Sequence, residues 1–247
     1  MASNDAKILS GKVALITGGS RGIGRALAEG FTRHGAQVFI CARDEENLRA
    51  AIVEARKSGG EIEGVAGDVG NQEDVQRIVG AAVNRYGAIH ILVNNASILG
   101  PRETIANYPP ESWEEVLRVN LTGLFLMTRA VLPTMLAQRA GSIINVTSGV
   151  GRRGKARWGA YAVSKAGLEA LTQVLADEVA QHGIRVNSVN PAATRTAMRA
   201  QAYPSEDPLT LPTPEDVLPI FLYLASEASA ALSGQSLNAR DWLQPDD

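Results

Sequence analysis

Short apolar, β-branched runs alternate with longer segments of helical period along the whole chain, and this alternation limits the fold more than any other feature. Val13–Thr17 (VALIT) reads as a buried strand, and Ile23, Leu27 and Phe31 then recur at helical spacing. Gln37–Ala42 is a second strand, followed by a charged helix over 44–58. Ile62–Ala66 is a third, followed by a helix from Gln72 to Arg85. Residues 89–93, 142–146 and 185–189 read as further strands, and 235–238 as a last short one. Continuously apolar strands separated by helices predict a parallel sheet buried on both faces, which is a doubly wound α/β fold. No linker or repeat divides the chain, so 1–247 is expected to be a single domain. The one long loop-like stretch, 202–214, carries four prolines; with the residues just before it, 197–214 is expected to form a substrate loop.

Composition narrows the function classes. The 24 basic and 26 acidic side chains nearly cancel, which leaves no electrostatic footprint for nucleic acid. One cysteine, Cys41, excludes an intrachain disulfide, and His34, His90 and His182 are too scattered to predict a metal site. The first residues are polar, unlike a signal peptide. No stretch reads as the ~18 apolar residues of a membrane span; residues 217–225 come nearest and carry Pro219. A cytoplasmic enzyme or binding protein is the expectation.

The turn after the first strand carries the first chemical signal. Thr17, Gly18, Gly19, Ser20, Arg21, Gly22, Ile23 and Gly24 lead from strand into helix. Gly18 permits a tight turn, Gly22 lets backbone approach a pyrophosphate, and Gly24 lets the helix pack on the sheet. Free N–H groups at the helix start then face the phosphates of a dinucleotide. An acidic residue ending the second strand would select NAD. This chain has Ala42 and Arg43 there, with Arg21 in the turn. Two guanidinium forks suit a 2′-phosphate, so NADP(H) is expected over NAD(H). Asp44 is placed to pair with Arg43.

Further motifs follow in order: Gly67-Asp68-Val69, Asn94-Asn95-Ala96-Ser97, Asn120, Ser148, Tyr161 with Lys165, and Asn190-Pro191-Ala192 through Thr194 and Thr196. Together with the glycine turn they make the chain resemble the short-chain dehydrogenase/reductase family over nearly its whole length. The resemblance implies that Asp68 and Val69 contact adenine and that Asn95, Ala96, Pro191, Thr194 and Thr196 line the cofactor site. It implies catalytic roles for Asn120, Ser148, Tyr161 and Lys165. Lys165 would also hold the nicotinamide ribose, Asn120 would support a relay water, and a homo-oligomer (dimer or tetramer) is implied.

The chemistry can be read from the residues as well. Tyr161 and Lys165 are i and i+4, on one helix face. A nearby ammonium favours the phenolate and is expected to lower the tyrosine pKa. Tyr161 would then exchange a proton with a carbonyl or alcohol oxygen that Ser148 hydrogen-bonds. Two departures from the family pattern stand out. Ser97 replaces a glycine, with a small effect expected, and Ala192 replaces another, strained if that position needs positive φ. At 238–242 the chain also differs from its relatives, where assembly could change.

Within the family the chain most resembles 3-oxoacyl-carrier-protein reductases, which implies a small carbonyl or alcohol substrate, in that case a 3-oxoacyl thioester on an acyl carrier. Arg139 matches one of their carrier-docking arginines; His182 stands at the other. Arg152, Arg153, Lys155 and Arg157 either steer an anionic substrate or form a solvated loop. Trp158 would wall the pocket or pack beneath that loop. Two other function classes remain open. A non-catalytic NADP(H) sensor would tolerate Tyr161→Phe. A nucleotide-sugar epimerase or dehydratase would need a larger C-terminal domain.

Overall fold

The computed structural model describes residues 7–57 and 59–243. The first half runs β1 (Val13–Thr17), α1 (Gly22–Arg33), β2 (Gln37–Ala42), α2 (Glu45–Lys57), β3 (Ile62–Ala66), α3 (Gln72–Tyr86) and β4 (Ile91–Asn94). It continues through α4 (Pro110–Leu117), α5 (Gly123–Gln138), β5 (Gly141–Val146), α6 (Gly149–Arg152) and α7 (Gly159–Glu178). β6 (Ile184–Asn190), α8 (Ala197–Ala202), α9 (Leu218–Ala225) and β7 (Ser236–Asn238) complete it. Among the described residues the strands form one seven-stranded sheet, ordered β3-β2-β1-β4-β5-β6-β7, with every neighbouring pair parallel. This is the expected doubly wound fold.

Alternate strand residues explain the two cores. Ala14, Ile16, Val38, Ile40, Ile91 and Val93 face one side, where Leu27, Phe31, Leu48 and Phe221 cover them from α1, α2 and α9. Leu15, Phe39, Leu92, Ile143 and Val186 face the other, beneath Ile78, Met127, Val131 and Leu175 from α3, α5 and α7. Each fully buried Leu or Ile contributes about 1.5–3 kcal/mol by leaving water, so neither face can be solvated without unfolding the sheet.

The boundaries differ from the sequence reading where side chains intervene. The fourth strand starts at Ile91 rather than 89. The ring Nδ1 of His90 accepts the Val13 N–H at 3.0 Å and interrupts the ladder just before it. Asp44 caps α2 by accepting the Asn47 N–H at 2.9 Å; Ser58, expected to end that helix, lies outside the described residues. So do residues 1–6 and 244–247 of the expected domain. Contrary to the sequence reading, the most membrane-like segment is not 217–225. Helix Pro110–Gln138 is long and apolar enough to cross a membrane by composition. Here, however, Val119, Met127, Val131 and Met135 bury its apolar face in the core. The proline-rich stretch is tied down: the Arg195 guanidinium donates to the carbonyls of Pro208 and Leu211 at 2.8 and 3.1 Å.

Candidate active site

A cleft of about 760 Å³ opens along the carboxyl ends of the strands, centred where the order reverses between β1 and β4. Open parallel sheets bind ligands at this point. The glycine turn forms its floor. Gly18 has φ +67°, and a Cβ there would lie 2.9 Å from the Asn95 amide nitrogen and 3.0 Å from the Ala96 Cα. A Cβ at Gly24 would run into the Gly18 carbonyl and the Asn95 amide. Gly24 therefore lets α1 begin hard against the turn, which differs from the helix-on-sheet role expected of it. Arg21 is the N-cap of α1 and makes no side-chain cap bond, so first-turn N–H groups are left for a ligand. Ser20, Arg21, Gly22 and Ile23 all line the cleft.

Thr17 and Asn95 lock this turn. The Thr17 hydroxyl accepts the backbone N–H groups of Asn95 and Ala96, both at 3.0 Å. The Asn95 amide donates to the carbonyls of Thr17 and Gly18 at 2.9 and 3.2 Å. Asn95, expected as a cofactor contact, thus spends its side-chain donor bracing the turn. Thr17 opens the glycine turn in the sequence but was given no role of its own there.

At the far side of the cleft lie Arg43, Asp44, Asn47 and Asp68. Arg43 pairs with Glu115 at 3.6 Å, not with Asp44 as expected, because Asp44 is committed to capping α2. Asp68 and Val69 both line the cleft. The Asp68 carboxylate already accepts the Gly70 N–H and an Arg118 N–H, at 2.8 and 2.9 Å. Partial burial pushes its pKa up, but Arg118 and the Gly70 N–H outweigh that and hold it below the usual range. Glu115 and Arg118 were missed by sequence reasoning because they come from α4 and the turn after it, distant in the chain.

Tyr161, Lys165 and Ser148 converge at the other end. α7 carries Tyr161 and Lys165 one turn apart, 8% and 2% exposed, and Ser148 follows β5. The Lys165 ammonium donates to the Val146 carbonyl at 2.7 Å and sits 5.6 Å from the Tyr161 ring centre. Burial pulls its pKa down to about 8, opposed by the Glu169 carboxylate one turn further along α7. Burial also pushes the Tyr161 phenol up to about 12, opposed by the Ser148 and Ser97 hydroxyls. The expected lowering of Tyr161 is therefore not produced by the protein alone: desolvation exceeds what its neighbours supply. Trp158 walls the pocket, its ring 5.6 Å from that of Tyr161.

Asn120 lies in a π-helical turn, Arg118–Thr122, joining α4 to α5. Such turns recur at functional sites. Its side chain accepts the Ile98 N–H at 2.8 Å and donates to the Ile98 carbonyl at 2.9 Å. A cavity of about 10 Å³ adjoins Asn94, Asn120 and Lys165, near the size that admits one water. Pro191, Thr194 and Thr196 line the cleft with Ala96. Thr194 donates to the Pro191 carbonyl at 3.0 Å, and Thr196 caps α8 by accepting the Arg199 N–H at 3.2 Å. Ala192 has φ +61°, so the strain anticipated there is present.

The basic segment does not act as one patch. Arg152 donates to Ser236, Asn238 and the Leu237 carbonyl, and approaches Glu169 at 3.3 Å, tying α6 to β7. Arg157 pairs with Glu103 at 3.2 Å. Arg153 and Lys155 remain exposed. Arg102, not anticipated, stacks over Trp158 at 4.2 Å and donates to the carbonyls of Arg157 and Ala202, so it straps α8 to the segment before α7. Arg139 donates to the Gln181 carbonyl beside His182, at the start of β5. Ser148 follows the other end of that strand. Six strand residues rise about 20 Å, so Arg139 and His182 lie at the opposite end of the strands from this chain's own cleft.

Comparisons with known proteins place the chain in a family. The model of the short chain dehydrogenase family matches residues 12–207. The chain is 38% identical over 241 residues to an uncharacterized oxidoreductase, YciK, of Escherichia coli K12, covering 96% of this chain and 95% of the relative. It is 37% identical over 235 residues to the 3-oxoacyl-[acyl-carrier-protein] reductase FabG of Thermotoga maritima, covering 92% and 95%. A short chain dehydrogenase from Shigella flexneri 2a, solved complexed with NADP, superposes with a TM-score of 0.91 at 38% identity, covering 95% of this chain and 99% of that one. One from Escherichia coli CFT073, complexed with NADPH, gives 0.91 at 38%, covering 95% and 98%. The chain belongs to the short chain dehydrogenase family.

Proposed function

We propose that this protein is an NADP(H)-dependent oxidoreductase that interconverts a carbonyl and a secondary alcohol, with Tyr161 as the acid/base. The observation that carries the reading is the buried Tyr161–Lys165 pair opening with Ser148 onto one cleft. The residues fit a nicotinamide dinucleotide. Gly18 and Gly24 keep the turn free of Cβ atoms, α1 offers uncapped N–H groups, and Arg21 and Arg43, which line the cleft, would hold a 2′-phosphate. Two related structures hold NADP or NADPH, which supports the phosphorylated cofactor. When bound, the cofactor supplies or accepts the hydride.

This chain's residues do the rest. With its pKa held up at about 12, Tyr161 keeps its proton at neutral pH, the form that donates to a carbonyl oxygen during reduction. Ser148 hydrogen-bonds the same oxygen and fixes it beside the phenol. Lys165 stabilises the phenolate left behind. Asn120 holds Ile98, and with it the wall of the pocket, in register. Trp158 and α8 exclude water from the substrate end.

A 3-oxoacyl thioester is the proposed substrate class, supported by the reductases and ketoacyl reductases among the relatives. An acyl carrier docked at Arg139 would sit at the opposite end of β5 from the same chain's Ser148, which favours delivery to a neighbouring subunit's cleft. A homo-oligomer is part of the reading. Phe125 on α5 and Val163 and Val174 on α7 expose apolar surface. The single domain and a substrate-covering role for 197–214 belong to it too.

The test follows NADPH absorbance with acetoacetyl-CoA for wild type and Tyr161→Phe. Turnover is expected in wild type, falling by about 10²–10⁴-fold in the variant. Equal rates in the two proteins would remove Tyr161 from the chemical step.

A further inference from the structure

Ser97 stands where the resemblance would place a glycine, yet its backbone is not in the left-handed region and the side chain costs no strain. Its position is fixed from both sides. The preceding Ala96 N–H is held by the Thr17 hydroxyl at 3.0 Å, and the following Ile98 is held by both arms of the Asn120 amide, at 2.8 and 2.9 Å. The Ser97 hydroxyl is buried and makes no hydrogen bond among the described residues. It lines the cleft together with Ser148 and Tyr161, but Ser97 comes from the loop after β4 and Ser148 from the end of β5. An unpaired buried hydroxyl is costly to retain. Clamping one against the proton-bearing group of the cleft gives that cost a purpose.

We propose that Ser97 is a positioning residue for Tyr161: its clamped hydroxyl donates to the phenolate oxygen and orients it, sharing with Ser148 the stabilisation of the ionised form. The inference rests on Tyr161 being the acid/base of the proposed reaction. When the phenol loses its proton to substrate, its oxygen becomes a charged acceptor, and Ser97 gains the hydrogen bond it lacks in the neutral state. Bonds to charged acceptors are stronger than neutral ones. The effect therefore grows as the proton leaves. The other groups around Tyr161 are few. On α7 there is Lys165, with Glu169 behind it. From the loop after β4 come Tyr108 and, across Trp158, Arg102. From α8 and the residue after it, Arg199 stacks on Tyr203, whose ring approaches Trp158 rather than Tyr161.

The test is a titration of the protein carrying [13Cζ]tyrosine, saturated with NADP⁺ and followed by NMR between pH 6 and 11. The Tyr161 resonance is assigned by its loss in Tyr161→Phe. Ser97→Ala is expected to raise its midpoint by about one pH unit, a tenfold loss of phenolate at a given pH. Ser97→Thr, which keeps a hydroxyl, is expected to restore it. A midpoint unchanged in Ser97→Ala, a rise of equal size in Ser97→Thr, or no titration of wild-type Tyr161 below pH 11 overturns the proposal. The titration is independent of turnover. If Tyr161→Phe remains active while Ser97→Ala shifts the midpoint, the proposed reaction fails and the contact stands. If Tyr161→Phe is dead and the midpoint does not move, only the Ser97 role fails.

Discussion

Replacing Ala192 by glycine is expected to stabilise the protein. Ala192 has φ +61°, and an L-residue in that region costs about 1–2 kcal/mol. Glycine removes that cost but enlarges the freedom of the unfolded chain, by roughly 0.5–1 kcal/mol. No cavity charge applies, because Ala192 is only partly buried and lines the open cleft. The net gain is about 0.5–1 kcal/mol, or ~1–4 °C in Tm for a chain of this size. The assay is thermal unfolding by circular dichroism, with and without saturating NADPH. Arg139→Gly is a useful companion, since Arg139 has φ +51° as the C-cap of α5, outside the cleft. Both variants are expected to gain stability without cofactor, and only Ala192→Gly to change the increment that NADPH adds. An Ala192→Gly protein that melts at or below the wild-type temperature without cofactor would refute the strain argument.

Lys165→Met is expected to abolish activity yet stabilise the fold at pH 7. The folded-state pKa of Lys165 is drawn down to about 8, below its unfolded value. The burial penalty is therefore full below pH 8 and relieved as pH rises towards ~10.4, by on the order of 3 kcal/mol less whatever the Val146 bond returns. Urea unfolding of both proteins at pH 7 and pH 10 should show wild type gaining on the variant, and a constant gap would contradict this. Tyr161, whose pKa is raised, acts in the opposite direction only above pH 10. Arg21→Ala and Arg43→Ala should each weaken NADPH binding about tenfold or more and leave NADH binding nearly unchanged; fluorescence titration with both cofactors decides it. Arg102→Ala should raise KM for the carbonyl with little effect on NADPH affinity, because the strap between α8 and Trp158 loses a cation–π contact of about 0.5–2 kcal/mol.

Much of this was legible from residue order. A parallel strand buried on both faces is almost wholly apolar, so Val13–Thr17 and Gln37–Ala42 could be bounded to the residue; Ile62–Ala66 was bounded as well, although as the edge strand it is only partly buried and carries Glu63. The Tyr161–Lys165 pair was legible because helical spacing alone puts i and i+4 together. Glu169 continues the same spacing and could have been found the same way. What the sequence hid depends on contacts between distant segments. Asp44 and Glu115 compete for Arg43, and only the packed fold shows that Asp44 is already used as a cap. Of the four basic residues before Tyr161, close together in sequence, Arg152 and Arg157 turn to different partners while Arg153 and Lys155 stay exposed. Burial was hidden as well, and it decides the direction of the Tyr161 shift.

The Arg152 clamp bears on how the protein is made. Arg152 follows Ser148 by one short helix, but its partners Ser236, Leu237 and Asn238 lie 84 to 86 residues further on. During synthesis at ~5–20 residues per second, several seconds separate the emergence of the two segments. A nascent chain can therefore lay down β1 to β6 while the segment carrying Ser148 lacks these tethers. Arrival of β7 supplies them late, and a ribosome-stalled chain ending before residue 236 should hold a sheet without an ordered substrate end.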